Sequence, residues 1–503
     1  MIEEISLVLL ALPLLGGAII FFLPPKNIIL LRSVALTFGF LTMLLSCYLF
    51  LSYDLALGGI QFLTSLNWLS FSGTGQFSED SIQLLLGIDG ISALMILLSG
   101  VVMFTGILIS WNIKDRLKEY LVLYFLLLGG VFGVFISYDL FFFFFFYELS
   151  VLPMYLLVGV WGSSTDFKSF MRTKEYGAMK LTLYLVAGSV LIWVAILAIF
   201  VEAGIGSFSI TELSQVEFSR DFQILFFALL ALGFGVLAGL WPFHTWSPDG
   251  HVAAPTGVSM VHAGVLMKLG AFGIIRVGMT LLPEGANFWM PIIMILGTIN
   301  VIYGSVAAMA QRDLKYVIGY SSVSHMGYVL MGIASLHQLG LSGAVLQMFS
   351  HGIMTALFFI AVGIIYDRTH TRDIDVLQGL AKKFGFTASI FSLAAFASLG
   401  LPGLSGFVAE LLVFLGLFQT HVWAAILGIV GAAITAVYML RLISRVFYGP
   451  PSSLLSQSMK VSINERIGAL ILAAFIIFIG LVPFPFIRVI DVGVSELLSG
   501  LGG

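Results

Sequence analysis

The chain has 503 residues, of which 59% are hydrophobic and only 10% are charged. Soluble globular domains are about 45–50% apolar and about 25% charged, so this composition excludes a water-soluble fold and makes a lipid bilayer the solvent for most of the chain. The net charge of −3 gives no indication of nucleic-acid binding, and the single cysteine, Cys47, excludes an internal disulfide, a cysteine zinc site and an iron–sulfur cluster.

Fourteen apolar runs are candidate membrane spans, because a transmembrane helix needs about 20 apolar residues. No basic segment or small-residue cleavage site accompanies the first run, so we predict that it is retained rather than removed as a signal peptide. The pattern predicts an all-α polytopic membrane protein of about 14 transmembrane helices. The runs are 5–23, 28–51, 89–112, 120–138, 139–161, 176–201, 222–241, 255–282, 289–309, 314–336, 340–366, 386–418, 421–448 and 466–487.

Two of these runs are interrupted by helix-breaking residues. The seventh ends at Gly239–Pro242 and a polar stretch follows, while 386–418 is too long for one straight span and contains Gly400–Gly406. A break frees backbone groups that hydrocarbon cannot satisfy, so both breaks must line protein or water. The broken runs lie about five spans apart. Because five is odd, the second broken run crosses the membrane in the opposite direction to the first. This spacing predicts two inverted five-helix repeats, each containing a broken helix.

The repeats divide the chain into four predicted parts. Residues 1–119 hold the N-terminal helices, including a polar stretch at 54–88 that we expect to form a hairpin or turn on the outer face. The first repeat covers 120–282 and the second covers 289–448. Residues 449–503 form a C-terminal transmembrane helix and a tail.

Most of the 23 lysine and arginine residues fall in alternate loops, and the positive-inside rule makes those loops cytoplasmic. Both termini are then predicted to lie on the outer side. Within these loops, segment 371–384 is a candidate interfacial helix. The basic loop residues are Lys26, Arg32, Lys114, Arg116, Lys118, Lys168, Arg172, Lys174, Arg312, Lys315, Arg368, Arg372, Lys382, Lys383, Arg441, Arg445, Lys460 and Arg466.

Three ionisable side chains fall deep inside predicted spans: Glu148, Lys268 and Glu410. A charge at the bilayer centre costs between about 3 and more than 10 kcal/mol, so such residues are rare outside ion and proton pathways. Each of these side chains can be charged when it is paired and neutral when it is not, which suits a proton carrier. For Glu148 a structural role, with a hydrogen bond to a neighbouring helix, is the alternative. Lys180 lies nearer the end of its span, so snorkelling to the interface competes with a functional role.

Five histidines lie in or beside spans, and an imidazole, with an ordinary pKa near 6.5, suits proton relay. We expect His325 and His351 to act as relay residues, His244 and His262 to be further relay candidates, and His421 to be interfacial. Single histidines in membrane helices are also often plain hydrogen-bond partners. No pair has the spacing and acidic companion of a zinc site, so we expect no bound metal.

Six groups of residues, in their joint order along most of the chain, resemble the antiporter-like proton-pumping subunits of respiratory complex I. Each group is a weak signal alone, but the order of all six is specific. One branch of that family has glutamate rather than lysine at the position of Glu410, and this chain is most similar to it. The groups are Tyr147–Leu149 with Pro153–Leu156 and Trp161–Gly162; Pro242–Trp246 with Pro248–Asp249 and Ala254–Thr256; Tyr320–Gly327; Gln347–Met348 with Ser350–Gly352; Tyr366–Arg368 with His370–Arg372; and Leu401–Gly403 with Gly406–Phe407 and Glu410.

The resemblance implies a role for each buried residue. Glu148 matches the essential glutamate of the fifth helix, and Lys268 matches the lysine that links the first half-channel to the middle of the membrane. His325 and His351 match relay residues of the second half, and Glu410 matches the residue that faces the exit. It also implies that flavin, iron–sulfur clusters and quinone belong to partner subunits, with no cofactor in this chain, and that neighbouring antiporter-like subunits of the membrane arm are its partners.

One position departs from the family pattern. The family's central lysine lies a few residues before a Pro-x-His motif in the first broken helix, and aligning Pro242–His244 places Leu237 there. The ion-pair partner expected for Glu148 is therefore missing. Three explanations stay open: Lys180 serves as the partner, the chain pumps by a modified route, or it no longer pumps.

We therefore expect a proton-translocating membrane-arm subunit of a complex I-type NADH or ferredoxin:quinone oxidoreductase, in a bacterial plasma membrane. The chain would share in an enzyme complex whose redox centres lie in other subunits. In this hypothesis a proton enters from the cytoplasm near Lys180 or Lys268, passes the relay histidines and leaves through Glu410.

Related functions remain as alternatives. Two kinds of complex contain subunits with the same fold: sodium/proton antiporters of the Mrp type and membrane-bound hydrogenases. Copurification of redox subunits with this chain would argue against the antiporter. A non-pumping structural spacer of the membrane arm is the other alternative, kept open by Leu237.

Overall fold

The structure is a computed structural model that describes residues 4–69, 82–166, 171–450 and 460–501, and most of them are helical. The helices are α1 Ile5–Phe22, α2 Ile28–Ser52, α3 Gly90–Ile109, α4 Leu117–Ile136, α5 Leu140–Trp161, α6 Lys174–Ala203, α7 Ile210–Leu213, α8 Arg220–Ala238, α9 Trp246–Ala253, α10 Thr256–Val261, α11 Met267–Gly273, α12 Pro283–Ala310, α13 Leu314–Ala334, α14 Gln338–Thr369, α15 Gly385–Ser398, α16 Ser405–Thr420, α17 Val422–Phe447, α18 Ile463–Leu481 and α19 Phe484–Gly500. Turns of π-helix at His262–Leu266 and Ile274–Met279 flank α11. The strands are β1 Gln61–Leu69, β2 Ile82–Ile88, β3 Thr165–Asp166 and β4 Met171–Arg172.

The helices match the predicted spans. Thirteen helical segments in the described part of the chain are long and apolar enough to cross a membrane. The remaining predicted run, 386–418, is divided between the shorter apolar helices α15 and α16. The prediction of an all-α polytopic membrane protein with about 14 transmembrane helices is confirmed. Helix α19, which packs on α3 and α14, lies where we predicted only a tail.

The bundle is organised around a buried centre. The spans formed by α3, by α10 and α11, and by α14 are buried over their whole apolar length, whereas α1, α2 and α17 leave most of theirs open. Lipid tails are as apolar as the helices, so close packing of small residues holds such helices together. Gly270 of α11 is an example, because a Cβ there would lie 2.3 Å from the carbonyl oxygen of Phe234 and 2.5 Å from the nitrogen of Ala238 on α8.

The first predicted helix break lies between α8 and α9. Helix α8 ends at Ala238 and is followed by Gly239, whose φ of +79° is the left-handed conformation that glycine adopts without strain. Asn300 of α12 satisfies the freed backbone on both sides of the break. Its Oδ1 accepts from the nitrogen of Trp241 at 2.6 Å, and its Nδ2 donates to the carbonyl oxygen of Gly239 at 2.8 Å. A neighbouring helix therefore supplies the hydrogen bonds that hydrocarbon could not.

The second predicted break separates α15 from α16. Gly400 and Gly403 have φ values of +72° and +91°, which turn the chain between the two short helices. Gly480 of α18 packs so closely that a Cβ there would lie 2.2 Å from the carbonyl oxygen of Gly403. This contact packs one side of the break against α18, while Leu401 on the other side is 43% exposed.

Two predicted surface segments have different outcomes. Strands β1 and β2 pair antiparallel, as expected for a hairpin at 54–88, and the residues that join them lie outside the described part. The prediction of an interfacial helix at 371–384 is wrong, because that segment contains only turns and a short 3-10 turn at Leu380–Lys382. The Asp373 carboxylate accepts from the nitrogen of Asp375 at 2.9 Å and Gly379 is left-handed, so both residues favour turns over helix.

The basic loops meet at one end of the bundle, which we call the basic end. There Arg32 donates to the carbonyl oxygen of Trp111 at 2.6 Å, and Arg368 pairs with Glu465 at 2.7 Å. These contacts join loops that are far apart in sequence. Lys168, one of the predicted loop cations, lies outside the described residues.

Both described chain ends lie at the other end of the bundle, which we call the opposite end. Near the N-terminus, the Ser6 hydroxyl donates to the carbonyl oxygen of Phe62 at 2.9 Å. Near the C-terminus, the Glu496 carboxylate accepts from the nitrogen of Gly59. The two termini therefore share one face of the bundle, as the even number of spans requires.

The contact between α8 and α11 predicts the effect of a single methyl group. Gly270→Ala should destabilise the fold by about 1–3 kcal/mol, the usual cost of overpacking, because the backbone atoms that it meets cannot rotate away. Gly385→Ala is the matched control, since nothing lies within 4 Å of a Cβ there. Thermal unfolding in detergent should show a lower midpoint for Gly270→Ala alone, and equal midpoints would contradict the packing.

Asp139 begins α5 at the opposite end. Its carboxylate accepts from the nitrogen of Phe142 at 3.0 Å, and the residue is only 1% exposed. Burial raises the pKa of Asp139 from its ordinary 3.8 to about 7. Between these two values the folded chain holds a proton that the unfolded chain has lost, so stability falls as pH rises through this window and levels off above it.

Asp139→Asn should abolish this pH dependence while keeping the oxygen that caps the helix. Between about pH 4 and about pH 8 the wild-type chain should lose roughly 4 kcal/mol of stability relative to the variant. Thermal midpoints of both chains, measured in detergent across that range, check the prediction. Parallel profiles would show that Asp139 titrates at the same pH in the folded and unfolded chains.

Candidate functional site

Lys268 lies on α11 at the centre of the bundle. It is 0% exposed, and its Nζ is 2.7 Å from Nδ1 of His351 on α14. Nζ also donates to the carbonyl oxygen of Ala263, within the π turn that precedes α11. Such turns leave backbone carbonyls displaced from their α-helical partners and are frequent at functional sites. A backbone oxygen and an imidazole nitrogen, both uncharged, therefore hold the lysine.

A second histidine connects this pair to a carboxylate. The rings of His351 and His325 are 5.3 Å apart, and Nε2 of His325 is 2.9 Å from the Ser398 hydroxyl at the end of α15. Nδ1 of His325 faces two groups, the amide nitrogen of Gln347 at 3.1 Å and Oε1 of Glu410 at 3.4 Å. This nitrogen accepts from the amide when unprotonated and donates to the carboxylate when protonated. The partner of His325 therefore changes with its protonation.

The second helix break determines where Glu410 lies. Glu410 is 4% exposed, on α16, and a Cβ at Gly400 would lie 3.0 Å from its Oε2. Glycine in the break thus lets the backbone approach the carboxylate. On the same side, the hydroxyls of Ser350 and Ser405 are 2.7 Å apart and join α14 to the start of α16.

The predicted residues Lys268, His351, His325 and Glu410 therefore form one continuous buried array, which we call the central array. Gln347 and Ser398 complete it and were not predicted as site residues. Gln347 belongs to one of the six groups that carry the family resemblance. Its amide is uncharged, however, so the sequence alone does not mark it as a functional residue within a span. Ser398 reaches His325 only because α15 ends there, which the sequence pattern does not locate.

Lys180 pairs with an acid nearer the basic end. Its Nζ is 2.8 Å from Oδ2 of Asp249, and the Asp249 side chain is only 4% exposed. The other carboxylate oxygen accepts from Arg172 and, at 2.8 Å, from the Tyr316 hydroxyl. Asp249 was not among the predicted site residues, although it ends the polar stretch that follows the first break.

Two histidines lie between this cluster and Lys268. His262 was predicted, whereas His251 was missed although both side chains are fully buried. Their rings are 4.1 Å apart, and the ring of Trp246 stacks on His262 at 5.3 Å. Nε2 of His251 is 3.0 Å from the Ser247 hydroxyl. His251 and Asp249 share the short helix α9, so the first break brings both toward the centre.

Glu148 stands apart from these groups. It is half-buried on α5, and the Ser189 hydroxyl of α6 is its polar neighbour. No ion pair found within the described ranges includes Glu148, and Lys180 pairs with Asp249 instead. Leu237, at the position of the family's central lysine, is 0% exposed. The structure thus does not support Lys180 as the partner of Glu148.

His244 lies beside the first break. It is 2% exposed and packs against Tyr303, with ring centroids 4.9 Å apart. Neither ring nitrogen of His244 has a hydrogen-bond partner within the described part of the protein. His244 is close enough to Lys180 for their charges to interact.

Two buried arginines lie toward the ends of the bundle, and each is paired with a carboxylate. Arg276 lies 2.7 Å from Asp89 and donates to the Tyr138 hydroxyl, also at 2.7 Å, near the opposite end. Arg372 pairs with Asp313 at 3.1 Å near the basic end. Arginine stays charged, so these pairs are structural rather than proton carriers.

The central array can pass a proton from group to group. Its four ionisable side chains, those of Lys268, His351, His325 and Glu410, can each bind or release a proton, and neighbouring ones approach within hydrogen-bonding or ring-contact distance. In the described part of the chain, no three His, Cys, Asp or Glu side chains converge as metal ligands would. A buried row of lysine, histidine and glutamate side chains at these distances is suited to proton transfer inside the membrane.

The family described as the transmembrane part of NADH:quinone oxidoreductase and Mrp antiporters matches residues 137–435, which include the whole central array. NAD(P)H-quinone oxidoreductase chain 4 2 of Microcystis aeruginosa is 38% identical, over 88% of this chain and 79% of that protein. NADH-quinone oxidoreductase subunit M of Rhodobacter capsulatus is 36% identical, over 93% of this chain and 90% of that protein.

Solved structures show the same fold. A chain of respiratory complex I from Thermus thermophilus, solved with bound NADH, matches with a TM-score of 0.88 and 26% identity over 100% of both chains. A chain of the Mrp complex from Dietzia sp. matches with a TM-score of 0.85 over 100% of this chain and 99% of that one, at 18% identity. By sequence and by fold, this chain belongs to the NADH:quinone oxidoreductase/Mrp antiporter transmembrane family.

Proposed function

We propose that the chain is an antiporter-like, proton-translocating subunit, of the chain 4 or subunit M type, in the membrane arm of a complex I-type quinone oxidoreductase. The observation that supports this most is the central array, in which Lys268, His351, His325 and Glu410 follow one another without exposure to lipid. Burying such groups is costly, and well-packed apolar residues of similar size would often be as stable. Proton transfer gives a reason to keep them.

Electrostatic coupling would move the proton along the array. When Lys268 is charged, a proton on His351 beside it is disfavoured, because like charges in a low-dielectric interior repel strongly. A proton arriving at Lys268 therefore drives the next one toward His325. Protonated His325 donates to Glu410, which carries the proton toward the exit.

The driving energy would come from other chains of the complex. Flavin, iron–sulfur clusters and quinone would belong to partner subunits, and neighbouring antiporter-like subunits would pass the electrostatic signal to this chain. Relatives named as chains of quinone oxidoreductases support this assembly. NADH or ferredoxin would be the electron donor to the complex.

We also propose an orientation and an internal repeat. The basic end would face the cytoplasm of a bacterial cell and both termini would lie outside, which the concentration of loop cations supports. The inverted repeats would cover 120–282 and 289–448, flanked by 1–119 and 449–503. Their support is that each contains a helix broken inside the membrane, at α8–α9 and at α15–α16.

Lys268→Ala should lower the number of protons translocated per quinone reduced and leave assembly intact, because it removes the array's first charge. Glu148→Gln should have the same effect, because Glu148 matches the essential glutamate of the family. The purified complex, reconstituted in liposomes, permits both proton uptake and quinone reduction to be measured. Full pumping in both variants would remove the proposed roles.

A non-pumping spacer of the membrane arm is the second candidate function. It is favoured by the buried Leu237 and by the lack of an ion pair for Glu148 within the described ranges. In that case Lys268→Ala would leave the proton-to-electron ratio unchanged, as would Leu237→Lys. Sodium-dependent growth, with no redox subunit copurifying, would indicate an Mrp-type antiporter instead.

A further inference from the structure

We infer that Lys180 is the proton-loading site of this chain and that Asp249, shared with Arg172 and Tyr316, is the residue that positions it. This inference rests on the proposed function and adds residues that the central array does not include. It identifies where a proton enters from the basic end. It also gives a role to a buried carboxylate that the array leaves unexplained.

Asp249 is enclosed by side chains that bind both of its carboxylate oxygens. The Asp249 side chain is 4% exposed and binds Lys180 through one oxygen and Arg172 and Tyr316 through the other. Its ligands come from three separate elements, α6, β4 and α13. Within the described ranges, this is the one lysine paired with a carboxylate. Other titratable or charged side chains that approach the cluster are Tyr176, His244, Asp313 and Tyr320.

The charges of the cluster allow Lys180 to lose its proton. Lys180 and Arg172 carry two positive charges against one negative charge on Asp249. Arginine does not release its proton in proteins, whereas a lysine in a buried site can. When Lys180 becomes neutral, the Arg172–Asp249 pair remains balanced and no uncompensated carboxylate is left in the interior. The arrangement thus permits both states of Lys180.

The cluster also leads toward the central array. In the loading step, the neutral Lys180 amine takes one proton from water at the basic end and becomes an ammonium paired with Asp249, and it becomes neutral again when it releases one proton toward the centre. His244 has both ring nitrogens free of hydrogen bonds within the described structure. It lies two residues before Trp246, whose ring stacks on His262, and His262 contacts His251.

The test uses the intact complex in liposomes, carrying Asp249→Asn, Asp249→Glu or Arg172→Gln. Asp249→Asn should lower protons translocated per quinone by as much as Lys268→Ala does, within about twofold, and Asp249→Glu should restore at least half. Adding Asp249→Asn to Lys268→Ala should cause no further loss. Asp375→Asn is the matched control, because Asp375 lies at the same end with a side chain 51% exposed.

The pH dependence of pumping separates this role from a structural one. Asp249→Asn leaves two cations side by side, so the pH above which pumping falls should move down by about one unit or more. Arg172→Gln removes the competing cation and should raise the pH above which pumping falls. A merely structural contact would lower assembly or activity in both variants without opposite shifts.

The possible outcomes separate the two proposals. If Lys268→Ala impairs pumping while Asp249→Asn pumps normally with an unshifted profile, the loading site is wrong and the central array stands. If neither variant impairs pumping, the proposed function itself fails. If Asp249→Asn prevents assembly, the Arg172→Gln profile decides, and an unshifted or downward profile overturns the inference.

Discussion

The constraint on which this structure depends is that a charge inside a membrane protein needs a partner, or the ability to become neutral. Both solutions occur in this structure. Near the ends of the bundle, arginines that cannot lose their charge pair with carboxylates, as Arg276 does with Asp89. At the centre stand lysine, histidine and glutamate, which can become neutral. The arginine pairs therefore join helices toward the ends of the bundle, and the central array occupies its interior.

The broken helices create the conditions for those titratable groups. A continuous helix satisfies its own backbone and offers little to a buried ion. The break before α9 brings Asp249 and His251 inward, and the break before α16 brings Glu410 to His325. The π turn before α11 gives Lys268 a carbonyl partner in the same way. In each case an irregular backbone places a polar side chain that a regular span would leave unsupported.

Much of this architecture is predictable from the sequence because the bilayer imposes simple rules. Hydropathy locates the spans, and Gly400–Gly406 marks a break without any knowledge of tertiary contacts. Partners are harder to predict, since they depend on which helices meet. Asp249 belongs to a visible polar stretch, yet only packing of α6, α9 and α13 shows that it pairs with Lys180. Segment 371–384 misled the prediction because local turn hydrogen bonds overrode its helical composition.

Leu237 gives this constraint a specific consequence. A leucine there fills buried space without charge, so in the proposed mechanism Glu148 would have no lysine at that position to interact with. Glu148 is only half-buried and has Ser189 beside it, so water or a neighbouring subunit can stabilise its charge more readily than this chain's interior can. Asp249, by contrast, is enclosed and shared by two cations. The Asp249 carboxylate is screened less by solvent than its partly exposed partners are, so it interacts more strongly with a nearby charge. In the proposed mechanism, the controlling charge would therefore lie nearer to Lys180 and Asp249 than to Glu148.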